Sequence, residues 1–228
     1  MSESTTYSGG TYDSKNPIAR FSHRKRFKTS LLFTRIKPGD KILDYGCGDG
    51  KFLNDLSAES TNIGYEPYMA AMKTNKVTIY NKLADLQAFV DQNGKFDKIV
   101  CFEVFEHLNE KNQQKELSQM KALLKESGEI ILSVPIEIGL APIIKNIRRR
   151  LLHPSPIYTF KNIFKSVFAL PMPEHRSDDG YLTHMGFNHK LLERLLQKEF
   201  NIREKLYSPF PGLGYNLNSQ VFYRLSPL

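Results

Sequence analysis

The stretch ILDYGCGDG, residues 42–50, runs from strand-like residues straight into glycines at every second position, Gly46, Gly48 and Gly50. Glycine loses more conformational freedom on folding than any other residue. Three so close together therefore mark a turn with unusual dihedrals, or a backbone that a ligand approaches closely. A strand, a glycine turn and a helix in sequence would present backbone N–H groups at the C-terminal edge of a sheet, where open α/β sheets bind their ligands. Glu66 ends the next strand-like run, TNIGYEP, about 20 residues downstream, the spacing at which a carboxylate meets ribose hydroxyls. Lys51 stands where the dinucleotide fingerprint needs its third glycine, and the P-loop pattern is not matched either. A nucleoside ligand without a pyrophosphate fits both observations; a plain tight turn is the alternative.

A second group of candidates follows the segment FDKIVCFEV, which ends on Glu103 and Val104. His107 comes just after it, and an imidazole titrates near neutrality, as a general base must. Capping or packing the next helix is the competing role. His184, Asp178 and Asp179, in HRSDDGYLTHMGF, are further polar candidates, with a surface loop as their plainer reading. Cys47 and Cys101 have no metal-type spacing, and each lies in an apolar run, so no metal centre is expected. Two buried thiols suit a reducing cytoplasm, and the polar N-terminus lacks the basic and apolar regions of a secretory signal. The expected location is cytoplasmic.

The elements that must position these residues alternate. KILDYG, TNIGYEP, KVTIYN, FDKIVCFEV and GEIILSVP read as strands. GKFLNDLSAE, YMAAMKTN and EKNQQKELSQMKALLKE read as helices between them, while LADLQAFVDQNG reads as loop and turn. Strands separated by helices signal βαβ units and a mostly parallel, doubly wound sheet. Residues 1–36 read as an arm and helical lid, with Phe21, Phe27, Leu31 and Leu32 near helical spacing, and residues 37–228 as one domain. The alternation stops after Pro135. Residues 137–187 read as a cap, with Arg148, Arg149 and Arg150 followed by the aromatic and basic run IYTFKNIFKSVF. HKLLERLLQKEF returns to helix, and strands are expected near 200–207 and 219–225.

With 228 residues and 40% hydrophobic content the chain can bury one substantial core. The net charge of +8 points to an anionic partner or surface. Residues 140–170 hold Lys145, Arg148, Arg149, Arg150, Lys161 and Lys165 and no acidic residue, interleaved with aromatic and aliphatic side chains. That mixture fits anionic lipid head groups or an anionic substrate; the alternative is a cap whose apolar face is core and whose charges face water. No nucleic-acid-binding motif accompanies the charge, so nucleic acid is not an expected partner.

ILDYGCGDG resembles the first motif of class I S-adenosylmethionine-dependent methyltransferases, and NIGYEP their second. FDKIVCFEVFEHL is similar to the fourth-strand motif of the small-molecule branch, and GEIILSVP to the fifth strand. The resemblance is strong over residues 38–136 and looser over 184–202. It implies a Rossmann-like, mostly parallel seven-stranded sheet with an antiparallel C-terminal strand. It further implies that Gly46, Cys47, Gly48 and Gly50 pass under the methionine part of S-adenosylmethionine while Asp44 helps hold its amino group. Glu66 would accept the ribose hydroxyls, Asp85 and Leu86 would meet the adenine, and Glu103 would lie beside the methionine. The implied reaction is methyl transfer to a small-molecule, sugar or lipid-linked acceptor on oxygen, with nitrogen or carbon as alternatives, and His107 as the candidate base. An NAD-type oxidoreductase, and a non-catalytic cofactor-binding or membrane-surface module, are the rival readings.

Overall fold

The computed structural model describes residues 17–56, 60–74, 76–152, 155–170 and 184–228, with side chains of the first helix from Arg24 onward. The first 16 residues of the expected arm, and the candidates Asp178 and Asp179, lie outside the described residues. In chain order the elements are α1 (Pro17–Thr34), β1 (Lys41–Tyr45), α2 (Lys51–Asn54), β2 (Thr61–Tyr65), β3 (Met72–Lys73) and β4 (Thr78–Tyr80). They continue with α3 (Leu83–Asn93), β5 (Phe96–Phe102), α4 (Glu110–Leu123), β6 (Leu124–Pro135), α5 (Pro142–Leu152) and α6 (Phe160–Val167). The last are α7 (His189–Glu199), β7 (Phe200–Ser208) and β8 (Gln220–Pro227).

The strand order is β3-β4-β2-β1-β5-β6-β8-β7. β1 pairs in parallel with β2 and with β5, and β2 in parallel with β4. The order therefore reverses at β1, which places the glycine turn at the topological switch point. The sheet is Rossmann-like and mostly parallel as expected, but has eight strands rather than seven. The added one is the two-residue β3, antiparallel to β4.

The chain divides into two compact units. The first holds the residues up to Phe102 together with Gln119–Leu132; the second holds Glu103–Ser118 and Ser133–Ser226. In the first, Ile42 and Leu43 of β1, Phe96, Ile99, Val100 and Cys101 of β5 and Leu86 of α3 are buried completely. Residues with both faces covered explain why β1 and β5 read as near-continuous apolar runs. The second unit is centred on Val221, Phe222 and Tyr223 of β8 with Leu196 of α7.

Several elements differ from the sequence reading. LADLQAFVDQNG is helix α3, not loop: Leu86 and Val90 bury one face, Asp85 lies in the first turn, and Gly94 (φ 77°) ends it by donating its N–H to Val90 O. YMAAMKTN is turn and edge strand. Every residue from 67 to 74 is exposed, and a short helix with no face to bury is marginal in water. The helix after the glycine turn is only the four residues of α2. β6 begins at Leu124, four residues before the expected strand. From Arg24 onward in α1 the buried residues are Ser30, Phe33 and Thr34, while Leu32 is exposed. The two hydroxyls are accommodated by donating to Arg26 O and Ser30 O within the helix.

Candidate functional site

In the first unit the turn after β1 is built around the end of β2. Gly46 N–H and Cys47 N–H both donate to Tyr65 O, at 2.8 and 3.2 Å, and Gly50 N–H closes the turn on Cys47 O at 3.0 Å. Gly46, Gly48 and Gly50 have φ of 84°, 53° and 74°, the left-handed region where a side chain is strained. Glu66 ties the two strand ends together. Its Oε2 accepts from Gly48 N–H at 3.0 Å, its Oε1 from Tyr68 N–H at 3.2 Å, and its own N–H donates to Tyr80 O at 2.9 Å. The glycine turn and the carboxylate expected to meet a ribose are thus in direct contact.

Asp44, the last-but-one residue of β1, is buried beneath this turn. Burial first, and the Glu66 carboxylate second, push its pKa up to about 8. Without a cation beside it, this carboxyl is mostly protonated at neutral pH. Cys47 is also driven upward, by burial and then by Asp44 and Glu66, so its thiol is a packing group rather than a nucleophile. Gly64, which the sequence reading passed over, makes room for it: a Cβ there would lie 2.6 Å from Cys47 Sγ. The alternation in β2 was the available signal, since a glycine inside a buried strand marks a close approach. Asp85 is exposed on the first turn of α3, whereas the Leu86 side chain is sealed in the core and its N–H donates to Lys82 O. Their expected loop setting is therefore corrected to helix.

The second unit carries Glu103 and His107. Glu103 has φ 58°, a conformation rare outside glycine that costs of order 1–3 kcal/mol. Its N–H donates to Ser133 O at 3.0 Å, and Gln220 Nε2 bridges Glu103 Oε1 (2.6 Å) and Ser133 Oγ (3.0 Å). Phe105–His107 form a 3-10 turn, pinned by Gln113 Nε2 donating to Phe105 O and Leu108 O. Glu106 is fully buried there, with His107 Nε2 3.9 Å from its Oε1. The His107 and His184 rings meet edge to face at 4.9 Å. His184 Nδ1 in turn lies 3.5 Å from Glu137 Oε1, which Lys145 Nζ reaches at 2.5 Å. Burial alone would raise the Glu137 pKa, but Lys145, His184 and Arg149 outweigh it and hold the carboxyl down at about 2. Glu137 had a signal of its own: it is the only acidic residue between Glu129 and Glu174, set at the end of an apolar run and ahead of a cationic one.

A parallel sheet reversing at β1, with a glycine turn over β1 and an acidic residue ending β2, defines the class I methyltransferase fold. The chain belongs to the methyltransferase domain family, whose model matches residues 19–198. Magnesium protoporphyrin IX methyltransferase from Synechocystis PCC 6803, solved with bound SAH, is similar in structure at a TM-score of 0.57 and 14% identity, covering 98% of this chain and 96% of that one. N-methyltransferase NodS from Bradyrhizobium japonicum WM9, in complex with S-adenosyl-L-homocysteine, gives 0.54 and 14%, over 94% and 89%. In sequence, an uncharacterized protein of Methanocaldococcus jannaschii is 33% identical over 135 residues, 58% of this chain and 50% of that protein. Cyclopropane-fatty-acyl-phospholipid synthase of Escherichia coli K12 is 32% identical over 107 residues, 43% and 27% respectively. The chain thus spans half or less of the length of these curated relatives.

Proposed function

We propose that the protein transfers the methyl group of S-adenosylmethionine to a hydroxyl of a lipid-linked or glycan small molecule that it meets at an anionic membrane surface. Support for the cofactor comes from the contact of Glu66 with Gly48, which joins the two motifs that the family resemblance assigns to ribose and methionine. Asp44, Gly46, Cys47, Gly48, Gly50 and Glu66 form this cradle, with exposed Asp85 as a further candidate, while Leu86 is not one because its side chain and N–H are both engaged in the core. Methyl transfer from a sulfonium is an in-line displacement with a good leaving group, so alignment and exclusion of water supply much of the acceleration. A hydroxyl acceptor must also lose its proton, and half-exposed His107 is the base proposed for that step.

The observation that carries the acceptor class is the cap, whose two helices are turned inside out. In α5 the buried residues are Pro142 and Asn146, while Ile144, Ile147 and Leu151 form an outward stripe, Ile144 at 81% and Leu151 at 73% exposure. In α6 Asn162, Ile163 and Ser166 face inward, and Phe160 and Phe164 outward, continued by Phe168 beyond the helix. The plainer expectation of an apolar face in the core is therefore corrected for Ile144, Ile147, Leu151, Phe160 and Phe164, while Arg148 and Lys161 face water as that expectation had it. Asn162 Nδ2 donates inward to Ile157 O. Cyclopropane-fatty-acyl-phospholipid synthase and ubiquinone biosynthesis O-methyltransferase, both relatives in sequence, carry lipid-like names that suit this reading.

Titration with S-adenosylhomocysteine tests the cofactor, and Glu66→Ala should weaken binding by roughly 1.5–3 kcal/mol, the worth of hydrogen bonds to a charged group. Sedimentation with phosphatidylglycerol vesicles tests the surface. The wild type should pellet and the double variant Ile144→Glu, Phe164→Glu should not. Equal recovery of both in the supernatant would remove the membrane part of the proposal.

A further inference from the structure

We propose that Glu106, His107 and His184 form a binding site for a divalent first-row transition ion, zinc on the chemistry of the donors. Each residue offers a ligand atom within 4.8 Å of those of the other two. At metal–ligand lengths of about 2.0–2.2 Å, a tetrahedral zinc sets its ligands roughly 3.3 Å apart. Side-chain rotations that move each donor by about an ångström therefore close the set. Two imidazoles and one carboxylate are a donor set of zinc centres that keep a fourth position for water or substrate. The same set is too nitrogen-rich for magnesium or calcium, and without thiolate it does not select copper(I).

The surrounding structure holds the donors as a metal site requires. Glu106 is carried on a turn whose carbonyls are pinned by Gln113, and its carboxylate is fully buried. His107 and His184 are half-exposed, which leaves the ion a route in and a face for its fourth ligand. Glu137 supplies the outer partner. His184 Nδ1 lies 3.5 Å from Glu137 Oε1, and an N–H donated across that distance would leave Nε2 for a metal, the carboxylate–histidine–metal arrangement. Lys145, bonded to the same oxygen, anchors that carboxylate. In linear sequence the three donors show no metal spacing, since 77 positions separate His107 from His184. The ion's use, which rests on the methyltransferase reading, is that of a Lewis acid lowering the pKa of a coordinated hydroxyl; with the ion bound His107 is a ligand instead of the base, and the hydroxyl's proton passes to solvent water.

The test uses untagged full-length protein stripped with a chelator and titrated with Co²⁺ and then Zn²⁺. One equivalent of cobalt should give the visible absorption of a tetrahedral centre, and zinc should displace it. The double variant His107→Ala, His184→Ala should lose the absorption while keeping its circular dichroism, because both side chains reach solvent. Glu137→Gln, a positioning change, should weaken the ion by about 10–100-fold with the absorption retained. Absence of a stoichiometric cobalt spectrum, or an unchanged one in the double variant, would overturn the site. Unchanged affinity in Glu137→Gln would remove the outer carboxylate's role. S-adenosylhomocysteine titrated in parallel reports on the methyltransferase reading separately, because lost cofactor binding with intact cobalt bands would sink only that reading.

Discussion

Asp44 holds a proton at neutral pH because it is buried beside a second carboxylate, and an ammonium group seated against it, as the proposed cradle would seat that of the cofactor, would offset both effects. Its folded-state pKa, raised from 3.8 to about 8, means that the folded protein retains a proton the unfolded chain releases. The stability this contributes is fully present below pH 3.8 and is lost as pH rises through about 8. Binding an ammonium beside Asp44 would pull the pKa back down and expel that proton. Calorimetric titration with S-adenosylhomocysteine at pH 7 should therefore release up to one proton, read as a binding enthalpy that varies with the buffer's ionisation enthalpy. The release should fade above pH 9, where Asp44 is already ionised, and should vanish in Asp44→Asn. A buffer-independent enthalpy in the wild type would show that the ammonium does not sit against Asp44. Motif and spacing single out Asp44 and Glu66 in the sequence as candidates; their coupling was not legible there, because it depends on two strand ends meeting side by side.

At the scale of elements, strands were read better than helices. β1, β2, β4 and β5 declare themselves as short apolar runs, the first three closed by Gly46, Pro67 and Asn81, and their parallel pairing follows from the helical stretches between them. α3 was missed because LADLQAFVDQNG shows only Leu86 and Val90 as a buried pair amid polar residues, and YMAAMKTN was overread because helix formers without a face to bury do not make a helix. The cap misled differently: helical spacing gives the apolar stripe of α5 and α6 but not which way it turns. Gly64 is the position where an element's packing is most exposed to change. Adding a methyl there would put it 2.6 Å from Cys47 Sγ, 3.0 Å from Ile79 Cγ1 and 3.2 Å from Leu53 Cδ1. Gly64→Ala should cost about 1–3 kcal/mol in urea unfolding by overpacking, and should push the glycine turn off β2. The double variant Gly64→Ala, Cys47→Ala should recover most of that loss. A single variant as stable as wild type would mean that β2 and the turn move apart freely.

For the molecule as a whole, charge is distributed more tellingly than its sum suggests. Of the net +8, residues 140–170 supply six positive charges and no negative one, leaving +2 for the rest of the chain. Not all six are available to a partner. Arg150 is bound to Tyr158 O and stacked 4.4 Å from the Phe160 ring, and Arg149 lies against Tyr158, whereas Arg148 and Lys161 are exposed beside the outward apolar stripes. Among the described residues no helix is long and apolar enough to cross a membrane. Two separable forces should act where the cap meets a membrane. Each exposed cation near an anionic surface is worth about 1 kcal/mol and is screened by salt, while burial of the apolar stripes is not. Arg148→Gln combined with Lys161→Gln should accordingly weaken binding to phosphatidylglycerol vesicles by about 30-fold at 0.1 M salt, where the Debye length is about 10 Å, and hardly at all at 1 M, where it is about 3 Å. Ile144→Glu with Phe164→Glu should lose binding at both salt concentrations. If instead the wild type ignores vesicles and sediments as a dimer that the Ile144→Glu, Phe164→Glu variant dissolves, the outward stripes are covered by a second copy of the chain, and the membrane reading of the acceptor falls with that result.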